Sequence, residues 1–484
     1  MSGDHKILVG SRKSELALIQ TRYVISLLKD VHPEKEFDIV TMSTLGDKVL
    51  DIPLPKIGEK SLFTKELETA LITDRVKFVV HSLKDLPTSL PEGMAICAVL
   101  PREDPRDALV LQKDLSGYTL DTLPSGSVIG TSSLRRTAQL AKKYPHLKVE
   151  SIRGNLNTRL KKLDDLGKYQ AIVLAAAGLI RIGWEDRISK ILEQDDILYA
   201  VGQGALAVEC RADDEETIKL LEPLYDLQTA LQITAERSFL KTLGGGCSAP
   251  VAVYSEFKVE KANEVRMILT GAVWSLDGKE EIKEKDELNT TVNKKLRCST
   301  CPYNNNSLTR NLNIEDIEGI NDCSKCILYP TNEPTPKRQK LDISNEVLSD
   351  DPHNLGPIEL PVGVDFMGKC PYLETGLVNI HDKFPIKSST ENGSSLKCPF
   401  RNSTTAMHLM NNDITVTNFV EITKSDDDKL FCGIVPHKDA SVEGMKNARK
   451  LGERLAFNMI SKGALNIMSK AQSIFTAQLL LVLL

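Results

Sequence analysis

Short apolar runs alternate with amphipathic helical segments through the first 200 residues, and this alternation limits the fold more than any other feature. Residues 6–10, 37–42 and 78–82 are apolar runs typical of buried strands, and the stretches between them carry apolar residues at helical spacing. The pattern starts again at 127–133 and reaches another buried run at 171–179. It therefore predicts two α/β units of roughly 100 residues each, built on sheets of mainly parallel strands.

Polar clusters follow the predicted strands at their carboxyl ends. They are GSRKS (10–14), STLGDK (43–48), HSLKD (81–85), GTSSLRR (130–136) and SIRGN (151–155). Ligands of open α/β sheets bind beyond the carboxyl ends of strands, so we expect these clusters to line one cleft. The glycine-rich VGQGALAVE (201–209) suits a segment that crosses between the two units, and it is not a dinucleotide fingerprint.

Arginines are concentrated in these clusters and in the helical turns that follow them: Arg12, Arg135, Arg136, Arg153, Arg159 and Arg181. The planar guanidinium group binds carboxylate or phosphate through paired hydrogen bonds, and neighbouring hydroxyls such as Ser11, Ser14 and Thr131–Ser133 can donate further ones. A solvated surface arginine is the commoner fate of any one of them, but six in two repeated units favour an anion site. Because the chain has no phosphate-binding Walker loop, several carboxylates are the better ligand.

Two further residues stand out as chemical groups. Asp85 follows Lys84 at a strand end, where a carboxylate close to cations stays ionised and can stabilise a cation or transfer protons; a surface ion pair or a helix cap explains it equally well. Cys247 lies in LGGGCSAP, whose glycines leave a thiol accessible, although a buried structural cysteine is the alternative. Without an obvious histidine partner, Cys247 is a weak candidate for a hydrolytic nucleophile.

The remainder of the chain predicts a third, α+β domain with a long insertion. This domain would consist of a helix over 215–245, strands after Cys247 and an amphipathic helix at about 442–470. Residues 285–413 are polar and irregular, which is typical of disorder. Paired CxxC knuckles at Cys298/Cys301 and Cys323/Cys326 in this insertion are compatible with a zinc site. Its three Cys-Pro pairs resemble haem-responsive motifs. A third hypothesis is that the insertion is retained intron sequence.

Charge and hydropathy exclude several classes of partner. The net charge is −5 and the isoelectric point is about 6.0, so no basic field predicts nucleic-acid binding. The apolar end LLLVLL (479–484) is shorter than the ~20 residues that span a bilayer, and the amino terminus resembles no targeting signal. We expect a cytoplasmic protein, with no membrane or nucleic-acid partner and no resident metal.

Nine motifs occur in an order that resembles one enzyme family, the porphobilinogen deaminases, also called hydroxymethylbilane synthases. They are GSRKSELALIQT, STLGDK, GEKSLFTKELE, VVHSLKDLPT, GTSSLRRTAQL, SIRGNLNTRL, AAAGLIRIGW, VGQGALAVE and AERSFLKTLGGGCSAPVAV. The resemblance covers residues 6–278 and resumes at about 414–470. The insertion and the tail SIFTAQLLLVLL depart from the family pattern.

The resemblance implies a fold and an activity. Two doubly wound domains like periplasmic binding proteins would flank a cleft, with domain 1 over 1–102 and 202–222 and domain 2 over 103–201. A smaller domain over 223–284 and 414–484 would carry a dipyrromethane cofactor on Cys247. Four porphobilinogen molecules would be joined head to tail with release of ammonia, a transferase step of haem and tetrapyrrole biosynthesis, by a chain that acts as a monomer.

The resemblance also implies roles for individual residues. Asp85 and Lys84 would be catalytic. The cofactor would contact Cys247, Ser82, Lys84, Asp85, Thr131, Ser132, Ser133, Arg135, Arg136, Arg159, Gln203 and Gly204. The substrate would contact Arg12, Ser14, Gln20, Phe63, Arg153 and Arg181. The competing hypothesis is a non-catalytic two-lobed protein that binds carboxylates, which would need neither Cys247 nor Asp85.

Overall fold

The computed structural model describes residues 6–44, 64–244, 249–294 and 430–471, which all belong to one compact unit. Within it, two five-stranded sheets and one three-stranded sheet are each covered by helices. The predictions for Phe63, Cys247, the CxxC and Cys-Pro pairs, the strand at 414–422 and the apolar tail fall outside the described residues.

The first sheet has the strand order β2-β1-β3-β10-β4. Its strands are β1 Ile7–Arg12, β2 Phe37–Met42, β3 Phe78–Ser82, β4 Met94–Val99 and β10 Leu206–Arg211. Four of the strands run in one direction, and β10 runs against its neighbours β3 and β4. Helix α1 (Glu15–Val31) begins where Ser14 accepts a hydrogen bond from the Ala17 amide, and helix α2 (Lys65–Ile72) also packs on this sheet.

The second sheet repeats this arrangement in the order β7-β6-β8-β5-β9. Its strands are β5 Asp107–Leu111, β6 Val128–Gly130, β7 Lys148–Glu150, β8 Ala171–Ala175 and β9 Lys190–Leu192. Here β5 is the one reversed strand. The chain crosses from β4 to β5 and returns from β9 to β10, so each reversed strand is the first that the chain forms after crossing. The prediction of mainly parallel α/β sheets is confirmed.

Helices cover the second sheet as the periodicity predicts, with one difference. They are α3 Leu134–Lys143, α4 Leu156–Asp165 and α5 Ala176–Arg181. The run at 171–179, expected to be one buried strand, ends as a strand at Ala175, and the small residues after it begin α5. Alanine has the highest intrinsic helix propensity, which accounts for the short helix.

The third sheet is an antiparallel meander of β11 Val251–Lys261, β12 Glu264–Trp274 and β13 Glu281–Thr291. The expectation that irregular sequence begins at 285 is wrong, because β13 pairs with β12 through Thr291. Its polar composition concealed it: acidic side chains on β13 form ion pairs with a helix, as in Arg454–Asp286 and Lys462–Glu284. A strand whose exposed residues are paired in this way shows little apolar alternation.

Three more helices follow in the described part of the chain: α6 Glu215–Leu221, α7 Leu227–Thr242 and α8 Val442–Ser461. The predicted face of α8 is buried at Met445, Ala448, Leu451, Leu455 and Met459. Residues 433–435 bond to strand β4 of the first sheet, with Ile96 N donating to the Gly433 carbonyl at 2.8 Å. This segment therefore hydrogen-bonds to the edge strand of the first sheet, and its assignment to the third domain stays a prediction.

Within the described ranges, none of the helices is both long and apolar enough to cross a membrane. The same ranges contain no group of three or more His, Cys, Asp or Glu side chains arranged to hold a metal ion.

Candidate active site

A pocket lies at the carboxyl ends of β1 and β3, beside the first turns of α1 and α2. Its lining is Arg12, Ser14, Leu16, Ala17, Gln20, Thr64, Val80, His81, Ser82 and Asp85. Five of these are predicted site residues from separate motifs, which the parallel strands bring to one edge of the sheet. Their roles stay predictions.

The loop after β3 sets the positions of Lys84 and Asp85. Leu83 to Asp85 form one turn of 3₁₀ helix, in which Leu83 is buried in the core and Asp85 is exposed. The Lys84 ammonium donates a long hydrogen bond, 3.5 Å, to Gln203 Oε1. Burial lowers the pKa of Lys84 to about 8, although the neighbouring Asp85 carboxylate opposes the change. Lys84 is thus a cation that gives up its proton more easily than an exposed lysine.

Two predicted hydroxyl donors in the first unit are already engaged with the protein. Gln20 Nε2 donates to Ser82 Oγ at 3.0 Å across the base of the pocket. Ser14 caps α1 by accepting from the Ala17 amide at 3.4 Å. Ser82 Oγ also lies 3.3 Å from Gln20 Oε1, to which it can donate its proton, whereas the Ser14 hydroxyl only accepts in its cap and keeps its proton for another acceptor.

The hydroxyls of the second unit order the turn between β6 and α3. Ser132 Oγ donates to the Ile152 carbonyl at 2.7 Å. Thr131 Oγ1 accepts from the Ser133 amide, and Ser133 Oγ accepts from the Arg136 amide. These bonds shape the loop that presents the paired arginines.

Arg135 and Arg136 share one buried carboxylate that the sequence analysis missed. Arg135 NH1 lies 2.8 Å from Asp107 Oδ2, and Arg136 NH2 lies 2.7 Å from Asp107 Oδ1. Burial alone would raise the pKa of Asp107, but the two guanidinium groups outweigh it and hold the pKa well below its usual range. The only sequence signal was an acid at the start of the apolar run DALVL. Two cations on one anion leave a net positive charge.

Arg153 and Arg159 add cations without a carboxylate partner among the described residues. Arg159 Nε donates to the Gly154 carbonyl at 2.7 Å, and Arg153 NH1 is buried with no hydrogen-bond partner. Burial lowers the pKa of Arg159 to about 10, and the positive charges of Arg136 and Arg153 add to the effect. Like charges crowded in this way provide a strong field for an anion.

Arg181, Gln203 and Gly204 lie together where the chain crosses between the sheets. Arg181 donates to Glu103 Oε2 at 2.9 Å and to the Gly204 carbonyl at 2.7 Å. Gln203 Nε2 donates to Asp107 Oδ1 at 2.8 Å. Gly204 has a φ of +87°, and a Cβ there would lie 2.5 Å from the Glu103 carbonyl oxygen, so only glycine fits. These residues connect the crossing segments to the arginine cluster.

Two family models match the chain. "Porphobilinogen deaminase, dipyromethane cofactor binding domain" matches residues 7–219, and "Porphobilinogen deaminase, C-terminal domain" matches residues 230–299. The chain belongs to the porphobilinogen deaminase family. The second match ends just beyond β13, so the long polar insertion lies largely outside both.

Curated members of the family are similar over most of their length. The porphobilinogen deaminase of Nostoc sp. is 52% identical over 283 residues, which cover 58% of this chain and 86% of that protein. The porphobilinogen deaminase of Desulforamulus reducens is 51% identical over 283 residues, covering 58% of this chain and 89% of that protein.

Solved periplasmic binding proteins overlap about half of the chain. The aliphatic sulphonate binding protein of Escherichia coli is 10% identical, covers 49% of this chain and 70% of its own, and has a TM-score of 0.29. The substrate binding protein of an amino acid ABC transporter is 15% identical and has a TM-score of 0.26. The match covers 50% of this chain and 95% of that protein.

The donor set fits the dipyrromethane that members of this family carry. Each pyrrole of that group bears an acetate and a propionate, and the cluster offers an orphaned guanidinium nitrogen on Arg153 together with Lys84 and Arg159. Arginine and lysine are the groups that bind several carboxylates at once. Cys247, the predicted point of attachment, lies outside the described residues.

Proposed function

We propose that this chain is a hydroxymethylbilane synthase. It joins four porphobilinogen molecules head to tail on a dipyrromethane held by Cys247, releases ammonia at each addition and frees the linear tetrapyrrole by hydrolysis. The observation that carries the proposal is the group of neighbouring cations Arg136, Arg153 and Arg159 in a chain of this family. Burial, followed by the charges of Arg136 and Arg153, lowers the pKa of Arg159. Such a cluster is stabilised when carboxylates of a ligand enter it.

The basic residues bind the carboxylates of cofactor and substrate in this proposal. Lys84, Arg135, Arg136 and Arg159 hold the cofactor, and Arg12, Arg153 and Arg181 hold the incoming porphobilinogen. Bidentate guanidinium–carboxylate bonds fix the orientation of each pyrrole as well as its position. Hydroxyls of Ser14, Ser82 and Thr131–Ser133, together with Gln20, Phe63, Gln203 and Gly204, complete the predicted contacts.

Asp85 is the proposed acid–base and electrostatic group. It is exposed at the mouth of the pocket, and its charge interacts with Lys84, Arg159 and Arg181. A carboxylate held there stabilises the positive charge that develops when an amine leaves, and it moves a proton to that amine. The dipyrromethane, when bound, supplies the pyrrole carbon to which the first substrate is joined.

Intact mass is the decisive test of this function. The purified protein should be heavier than its polypeptide by two porphobilinogen units less two ammonia molecules, and Ehrlich's reagent should colour it. Cys247→Ser should lose both signals and the activity. An unmodified wild-type chain that makes no tetrapyrrole would reject the proposal.

Asp85→Ala tests the catalytic role separately. We expect kcat to fall at least ~100-fold, the size of an acid–base contribution. The melting temperature should stay unchanged because the side chain is exposed. Asp114→Ala, at another exposed aspartate, is the control and should keep wild-type turnover. Equal activity in both variants would remove Asp85 from the mechanism.

We also propose the finer properties that the resemblance implies. The protein acts as a monomer in the cytoplasm, without nucleic acid, and its domains divide near residues 102, 202 and 222. Sedimentation of the purified holoprotein would test the monomer. A simple carboxylate-binding protein is the weaker candidate, because relatives at 52% identity are named porphobilinogen deaminase.

A further inference from the structure

A second cluster of titratable side chains lies beneath the pocket, between the first sheet and helix α2. His81 on β3 and Glu209 on β10 approach to 3.0 Å, Nε2 to Oε2, and their side chains are 4% and 0% exposed. Glu68 on α2 is 3% exposed, and its charge interacts with both. The roles proposed above use none of these three residues.

The two carboxyl groups of this cluster have unmatched oxygens. Oε1 of Glu209 and Oε1 of Glu68 are both buried without a hydrogen-bond partner among the described residues. Two ionised carboxylates rarely persist close together in a buried site, since a charged oxygen left without a hydrogen-bond partner there is strongly unfavourable. At least one proton in the cluster removes this conflict.

The surroundings decide which carboxyl group holds that proton. Burial is the largest influence on Glu68 and raises its pKa. A hydrogen bond from Thr64 opposes this, the charge of Glu209 raises the pKa further, and His81 and Glu66 make smaller contributions of opposite sign. Glu209 faces His81 on one side, and its charge interacts with the buried guanidinium of Arg237 on helix α7. Glu68 is therefore the member of the pair whose pKa is raised, and Glu209 is the member that contacts His81.

His81 connects this cluster to the pocket. It is the penultimate residue of β3, four residues before Asp85, and it lines the pocket together with Asp85 and Arg12. When Nε2–H donates to the Glu209 carboxylate, Nδ1 carries the lone pair and can accept a proton. A carboxylate behind a histidine fixes this tautomer and stabilises the imidazolium that forms, as in other acid–histidine pairs.

We propose that His81, held by Glu209, is a second proton-transfer residue of this pocket. The inference rests on the proposed function. At each addition, a bond forms between two pyrrole units, the carbon–nitrogen bond to the departing amine breaks, and the attacking carbon loses its proton. His81 accepts that proton at Nδ1, and the proton passes by way of Asp85 to the departing amine, so that no outside acid or base is consumed.

The test measures kcat and KM for porphobilinogen in His81→Gln across roughly pH 6 to 9. His81→Gln keeps a donor for Glu209 but has no basic nitrogen. We expect kcat to fall by about 100-fold with little change in KM, and the acid limb of the kcat profile to disappear. His146→Gln, the same change in the second unit away from the pocket, is the matched control and should behave as wild type.

Glu209→Gln provides a second variant in case His81→Gln does not fold. It is isosteric, so the packing is kept, but it no longer stabilises imidazolium, and kcat should fall at least about tenfold with the acid limb moved. Melting temperature and intact mass must first show each variant to be folded and loaded with cofactor.

Two outcomes would overturn the inference. One is a folded, loaded His81→Gln with wild-type kcat and pH profile. The other is a uniform loss of kcat at every pH with the acid limb intact, which indicates a structural role. Neither touches the proposed function, which fails only if the wild-type protein carries no cofactor and forms no tetrapyrrole.

Discussion

The two five-stranded sheets have nearly the same construction but opposite buried charges at their ends. Beside the first sheet, Glu68 and Glu209 share one histidine, and the pKa of Glu68 is raised by burial. Beside the second, Asp107 contacts two arginines, and its pKa lies well below the usual range although burial opposes this. Both carboxyl groups are buried, yet their pKa values shift in opposite directions, because the charged partners rather than the depth decide the sign.

The two units would therefore supply different chemical groups to the proposed reaction. The second unit supplies most of the cations proposed to hold carboxylates: Arg135, Arg136, Arg153, Arg159 and Arg181. The first unit supplies the groups proposed to move protons, Asp85 and His81. A reaction that binds polyanions while handling protons needs both environments close together but electrostatically distinct.

The largest expected effect comes from removing the charge of Asp107. Asp107→Asn should lower the unfolding free energy by about 3–5 kcal/mol, because Arg135 and Arg136 would remain buried without their anion. Asp74→Asn removes an exposed partner of Lys77 and should cost at most ~1 kcal/mol. Denaturant unfolding of both variants measures the difference. Similar losses in the two would mean that the second unit's buried carboxylate is not the stabilising anion described here.

Removal of one uncompensated cation should weaken carboxylate binding. Arg159→Gln should raise KM for porphobilinogen, or lower cofactor occupancy, by about 10- to 100-fold, the value of one or two charge-assisted hydrogen bonds. Arg187→Gln removes an arginine of the same unit that pairs with Asp164 instead, and it should leave KM unchanged. Steady-state kinetics and intact mass decide between the two residues. An unchanged Arg159→Gln enzyme would contradict the anion-binding half of the comparison.

The pH dependence of binding should reflect Lys84. Its pKa is lowered to about 8, so the ammonium is lost as pH rises through that value. We expect kcat/KM, which reports groups of the free enzyme, to fall severalfold above about pH 8. Lys84→Arg keeps its charge and should move that fall to higher pH, whatever its absolute rate. An identical alkaline limb in the variant would assign the titration to another group.

The smallest expected effect concerns Glu68 and stability. Because the folded-state pKa of Glu68 is raised, its neutral form stabilises the fold at low pH, and this contribution is lost as pH rises through the folded pKa. The Gln side chain in Glu68→Gln is neutral at every pH, so the variant should become more stable than wild type as pH rises. Near neutral pH we expect a melting temperature roughly 2–4 °C higher, the shift that about 1 kcal/mol produces. Exposed Glu92→Gln should show no such trend.

Local patterns were sufficient to predict much of the fold. The alternation of apolar runs and helical segments predicted both α/β units, and the spacing in 442–470 predicted the buried face of α8. The strand-end clusters at 10–14 and 81–85 both contribute residues to the pocket, since parallel strands present their carboxyl ends at one edge, whereas the clusters of the second unit are not in its lining. The sequence did not predict the full length of β13, because its charged residues form ion pairs with Arg454 and Lys462, far along the chain.

The sequence by itself determined the element pattern, the family and the residue types available to the site. Only the tertiary structure decided which strands run in reverse, that Asp107 neutralises part of the arginine cluster, and that Glu209 lies behind His81. The reason is physical. Periodicity reports one residue's local geometry, whereas the charge state of a buried group depends on partners 28 to 128 positions away, brought within hydrogen-bond distance by folding.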